Sequence, residues 1–212
     1  MLAVAGGKGG CGKTTTALGI AAALATASDR RPVLVADADR DMPDLHSLAG
    51  VERTPTLADA ARTGESTASV ASPVAAVDAP GVRVLPAPEG VVGASTARVL
   101  SSVSGRVDVV DCPAGAGPDA AAPLRVADAV VLVSRATRES LRDAIKTAAM
   151  ARQLDCEPVG AVLTRTDGVP DGVEGGLDVE PVRTVPEANG SPLSDGAVRR
   201  AYRDLFASIR VP

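Results

Sequence analysis

The sequence predicts a doubly wound α/β fold: a mostly parallel sheet of about seven strands flanked by helices. Two observations carry that expectation. Short apolar runs that end in Gly or Asp alternate with longer stretches of helical period. Aromatics are almost absent, Tyr202 and Phe206 being the only two, so the core must be built from Ala, Val, Leu and Ile, the usual filling of a buried parallel sheet with helices on both faces.

The elements follow in order. Residues 1–5 (MLAVA) read as a strand closed by glycines, and residues 13–28, rich in Ala and free of Pro, as a helix. Residues 33–37 form a second strand ending in two acids, Asp37 and Asp39. Residues 54–80 are rich in Thr, Ser, Ala and Pro, with one short helix expected near 57–61. A third strand is expected at 82–85, a helix at 94–103, and a fourth strand at 107–111 that again ends in an acid, Asp111. Strands at 130–133, 159–164 and 182–185 complete the sheet. Residues 137–154 contain neither Pro nor Gly and read as a long helix. In the last helix, 196–210, Val198, Ala201, Tyr202, Leu205 and Ile209 share one stripe, with Arg199, Arg200 and Arg203 on the other side. No repeat or linker divides the chain, so residues 1–212 are expected to form a single domain.

Bulk properties exclude several classes. The formal net charge is −4, which does not suit a polybasic nucleic-acid binder. Cys11, Cys112 and Cys156 are widely spaced with no CxxC, so neither a disulfide framework nor a zinc cluster is expected. Small apolar filling is the expected role of Cys11 and Cys112; a redox pair between them is the competing idea. The N-terminus lacks a signal-peptide pattern and no window is apolar enough to span a membrane, so a cytoplasmic location is expected.

Residues 6–15, GGKGGCGKTT, hold the chemistry. Gly7, four residues, Gly12, Lys13 and Thr14 form a phosphate-binding pattern between a strand and a helix. Glycines let backbone N–H groups turn inward on phosphate oxygens, and the helix start adds its positive end. Lys13 is expected to reach the β- and γ-phosphates of a nucleotide and the Thr14 hydroxyl to ligate Mg2+. The loop backbone of Gly7, Lys8, Gly9, Gly10, Cys11, Gly12 and Thr15 completes the cradle. Asp37, Asp39 and Asp111 fall at strand ends, where open α/β sheets place their ligands. Asp111, closing an apolar run, is expected to hold Mg2+ through water.

Lys8 adds specificity, since the chain has only three lysines. KGGCGKTT resembles the deviant Walker A motif of the ParA/MinD family of ATPases. DxD at 37–39 and DCPAG at 111–115 resemble that family's two switch segments. The resemblance implies a P-loop NTPase fold and an ATP-dependent homodimer in which Lys8 reaches the partner's phosphates. It implies Mg2+ supported by Asp37 and slow hydrolysis in which Asp39 positions the attacking water. It also implies a positioning or partitioning role through a protein activator or adaptor, on a membrane or nucleoid surface. VLTR and TVPE resemble segments that contact adenine, making Arg165, Pro186 and Glu187 base-site candidates.

Two departures stand out. The Gly-rich span between Thr164 and Pro186 leaves little room for the helix usual there, and nothing resembling a membrane tail follows the last helix. The last helix's stripe is expected to pack on the domain. Alternative roles are an ATP-binding regulatory module with vestigial hydrolysis and a metal-cluster assembly scaffold, the latter disfavoured by the missing CxxC. Arg135, Arg138 and Arg142, read as lying on one helix, offer a non-specific nucleic-acid surface.

Overall fold

Period-two alternation inside the apolar runs decides which side chain faces which layer. In β1 (Leu2–Ala5), Leu2 and Val4 join the core on one face of the sheet, and Ala3 and Ala5 join the core on the other. The computed structural model describes residues 1–27, 32–75, 79–88, 95–103 and 107–210. The predicted helix ends at Ser28 and Ala94 lie outside the described residues.

The other strands are β2 (Val33–Asp37), β3 (Ser72–Pro73), β4 (Val82–Leu85), β5 (Val109–Asp111), β6 (Ala129–Arg135), β7 (Glu157–Thr164) and β8 (Val182–Val185). They form one eight-stranded sheet in the order β3-β4-β2-β5-β1-β6-β7-β8. All pairings are parallel except β3 with β4. The eighth strand, β3, is a two-residue edge piece, too short for a sequence signal. Arg135 closes β6 rather than lying on the helix with Arg138 and Arg142, which corrects the expected cluster.

One face of the sheet is covered by α1 (Lys13–Ala27), α2 (Leu45–Ala49) and α9 (Gly196–Ser208); the other carries α3 (Leu57–Thr63), α5 (Thr96–Val103), α7 (Arg138–Gln153) and α8 (Val173–Leu177). Short α4 (Thr67–Val70) and α6 (Pro118–Leu124) complete the set. Helix α3 starts in a reciprocal cap: the Asp59 N–H donates to the Thr56 hydroxyl, and the Thr56 N–H donates to the Asp59 carboxylate. Helix α8 corrects the expectation that the Gly-rich span lacks a helix: Val173 and Leu177 bury one apolar edge and suffice to fold a single turn or so.

Val198, Tyr202 and Leu205 of α9 are buried against α1, as the stripe predicts, and Arg200 and Arg203 face solvent. The Tyr202 hydroxyl lies 3.2 Å from Thr16 Oγ1, inside the core. Helix α1 is buried on most sides because the sheet, α2 and α9 all meet it. The C-terminal ends of β1, β2 and β5 thus converge under the start of α1, with β6 on the far side of β1. This reversal of strand order at β1, between parallel neighbours β5 and β6, is where doubly wound sheets open a crevice.

Candidate phosphate-binding site

The loop from Gly6 to Gly12 leaves β1 and enters α1 at Lys13. Gly12 has φ +93°, a left-handed conformation that disfavours side chains. From outside, Thr164 at the end of β7 donates its hydroxyl to the Cys11 carbonyl at 2.8 Å. On the other side the loop rests on α7. A Cβ at Gly7 would sit 2.4 Å from Asp143 Cβ, so only glycine allows this approach. Lys13 is buried, 8% exposed, while Lys8 projects outward. The Lys8 ammonium does not enter the cleft of its own loop; it pairs with Glu139 Oε2 at 2.7 Å.

The acids meet beside this loop. Asp37 and Asp111 occupy neighbouring positions in the β2–β5 register, and both are buried. Asp37 accepts hydrogen bonds from the Asp39 N–H at 2.9 Å and the Leu45 N–H at 3.3 Å. Burial, reinforced by the Asp111 charge, still pushes its pKa up to about 8. Burial pushes Asp111 to about 7, opposed by a hydrogen bond from Thr14 and by Lys13. Asp111 Oδ1 is buried with no hydrogen-bond partner among the described residues. Asp39 is half-buried and accepts from the Met42 N–H at 3.0 Å, which ties the turn after β2.

These residues border a cleft of about 470 Å³ lined by Gly9, Gly10, Gly12, Lys13, Thr14, Thr15, Asp39, Asp44 and Arg165, with Met42, Ser47, Leu48 and Ala114. Arg165 sits there in a left-handed conformation, φ +56°, uncommon for a residue with a side chain and frequent at functional sites. A strand–glycine loop–helix with a buried lysine and paired buried acids is a nucleotide-phosphate architecture.

Residues 2–177 match the model of the CobQ/CobB/MinD/ParA nucleotide-binding domain. The chain belongs to this family. An uncharacterized ATP-binding protein of Methanocaldococcus jannaschii is 30% identical over 98% of this chain and 86% of its own length. The antiactivator FleN of Pseudomonas aeruginosa is 33% identical over 68% of this chain, which spans about half of FleN. Among solved structures, the Pyrococcus horikoshii septum site-determining protein MinD, complexed with Mg-ADP, superposes with a TM-score of 0.80 at 22% identity, covering 97% of this chain and 93% of that one. The Pyrococcus furiosus cell division ATPase MinD gives 0.78 at 25% identity, covering 97% and 96%. The eight-stranded sheet is therefore the P-loop NTPase fold of MinD.

Within this MinD/ParA frame, Gly7, Lys8, Cys11, Asp37 and Asp111 lie on the loop or directly beneath it, outside the cleft lining. Cys11 contributes backbone only, its thiol being buried on the sheet side against Gly6. Pro186 and Glu187 follow β8, beyond the end of the family match, and are not among the lining residues. Cys112 lies in the core on the opposite face from Cys11, so the two thiols do not face each other. Asp44, whose charge raises the Asp111 pKa, and Met42 were not singled out by motif reading. Their only signal was position, just downstream of the DxD segment.

Proposed function

We propose that this MinD/ParA-family chain is an ATP- and Mg2+-dependent molecular switch that pairs with a second copy of itself and resets by slow ATP hydrolysis. The observation that carries this reading is the orphaned Asp111 Oδ1. It sits beside Asp37 in the sheet register, and the Asp111 carboxylate is hydrogen-bonded by Thr14. A buried carboxylate oxygen without a partner is costly unless a cation shares its charge. Thr14 directly, Asp111 through water and Asp37 behind them would hold Mg2+, which would supply charge neutralisation for the β- and γ-phosphates. Among the described residues, no three His, Cys, Asp or Glu side chains converge as a metal cage of their own. That accords with Mg2+, which takes one or two carboxylates and completes its shell with phosphate and water.

Each remaining role follows from position. The glycine loop and the first N–H groups of α1 bind phosphate. Lys13, desolvated at the loop's end, opposes γ-phosphate charge. Asp39, facing the cleft on a tied turn, orients the attacking water and accepts its proton. Arg165 offers its guanidinium plane to the base. Lys8, exposed outside its own cleft, would serve a facing subunit. Family membership supports, as part of this proposal, a positioning or partitioning role and a protein activator.

The deciding experiment measures ATP binding, phosphate release and mass by light scattering in ATP and in ADP. Wild type should bind both nucleotides, turn over slowly and double its mass only with ATP. Lys13→Ala should lose binding, and Asp39→Ala should bind and pair but release phosphate at least about tenfold more slowly. Tight ATP binding without turnover or pairing would favour a regulatory binding module.

A further inference from the structure

Lys8 and Glu139 are 131 residues apart, yet both are held in place by the backbone around them. Helix α7 begins with a tight cap: the Ser140 N–H donates to the Thr137 hydroxyl, and the Arg135 N–H donates to the Ser140 hydroxyl at 2.9 Å. Glu139 lies in that first turn, where the helix dipole favours a negative charge. One turn later the Asp143 backbone seats Gly7 so closely that no Cβ fits. Loop and helix are thus docked backbone to backbone, and the 2.7 Å ion pair spans a preset gap. Its two side chains are 47% and 73% exposed, so the contact is weak enough to exchange.

We propose that Glu139 is the resting counter-ion of Lys8: it parks the lysine on its own subunit, and pairing of two ATP-loaded subunits requires Lys8 to leave Glu139 for a phosphate group of the facing copy. The inference rests on the pairing reading above. A single carboxylate loses this competition to the several charges of an ATP triphosphate and competes better against ADP, which has one phosphate fewer. Glu139 is a positioning residue that sets the threshold for pairing without touching nucleotide.

Sedimentation with a non-hydrolysable ATP analogue tests this in wild type, Glu139→Gln, Lys8→Ala and the double variant. Releasing one weak pair per subunit, twice in a symmetric dimer, should lower the pairing concentration roughly two- to thirtyfold in Glu139→Gln. The double variant should match Lys8→Ala. A Glu139→Gln protein that pairs no better than wild type, or gains equally without Lys8, overturns the proposal. Lysine side-chain NMR of the nucleotide-free monomer supplies a second readout, because only three lysines contribute signals. The Lys8 ammonium resonance should shift in Glu139→Gln and those of Lys13 and Lys146 should not; an unmoved Lys8 signal refutes the ion pair itself. A wild type that binds nucleotide but stays monomeric sinks pairing and latch together, while the NMR result still reports whether the ion pair exists.

Discussion

Asp37 and Asp111 carry most of the electrostatic strain at the residue scale. Each has a pKa of 3.8 when unperturbed and is raised by burial, to about 8 and about 7. Between about pH 5 and pH 6 the unfolded chain has released nearly all of both protons while the folded, metal-free protein retains most of them. Unfolding therefore releases protons, and stability falls as pH rises toward 8. Thermal melts in chelator should show that loss, and Asp37→Asn should flatten it. Mg2+ with ADP, by favouring the ionised pair, should also flatten it; an unchanged slope with Mg-ADP would count against a cation at this pair. The acids were legible in sequence because each closes an apolar run. Their raised pKa values were not, since β5 meets β2 only through the sheet order.

At the scale of elements, α1 and α9 show how a local pattern becomes a fixed contact. The α9 stripe predicted a buried face, but not that Tyr202 would lie across Gly19. A Cβ at Gly19 would fall 2.2 Å from Tyr202 Cδ2. Gly19→Ala should therefore destabilise despite its better helix propensity: overpacking costs about 1–3 kcal/mol, against a propensity gain of at most about 1 kcal/mol. Tyr202→Phe should cost about 1 kcal/mol by removing the buried hydroxyl contact with Thr16. Urea unfolding measures both. Because this stripe is consumed by packing, isolated protein should not co-sediment with anionic vesicles through α9; strong binding abolished by Arg200→Glu and Arg203→Glu would reverse that conclusion. Helix α6 was not expected from the sequence, and its Pro118 and Pro123 count against a helix by local propensity. Pro118 is tolerated at the first helical position, where no N–H partner exists.

At the scale of the whole molecule, the sheet separates the cysteines into different layers. Cys11 belongs to the α1–α9 side, and Cys112 and Cys156 to the α7 side. Burial raises all three thiols, so none offers a reactive thiolate near neutral pH. A thiol reagent should label the native protein slowly and the urea-unfolded protein quickly, and mild oxidant should leave nucleotide affinity unchanged.

What the sequence by itself determined is whatever short-range chemistry dictates. Glycines, Lys13 and Thr14 are contiguous, and a nest for phosphate needs only adjacent backbone amides and a helix start. Apolar runs of the right length and filling specify buried parallel strands. What the tertiary structure alone decided depends on strand order and layer packing. It put Asp37 beside Asp111, left one Asp111 oxygen without a partner among the described residues, seated Gly7 on α7, and gave Lys8 its contact with Glu139. Those contacts join residues tens to more than a hundred positions apart, and no local propensity specifies which distant segments meet.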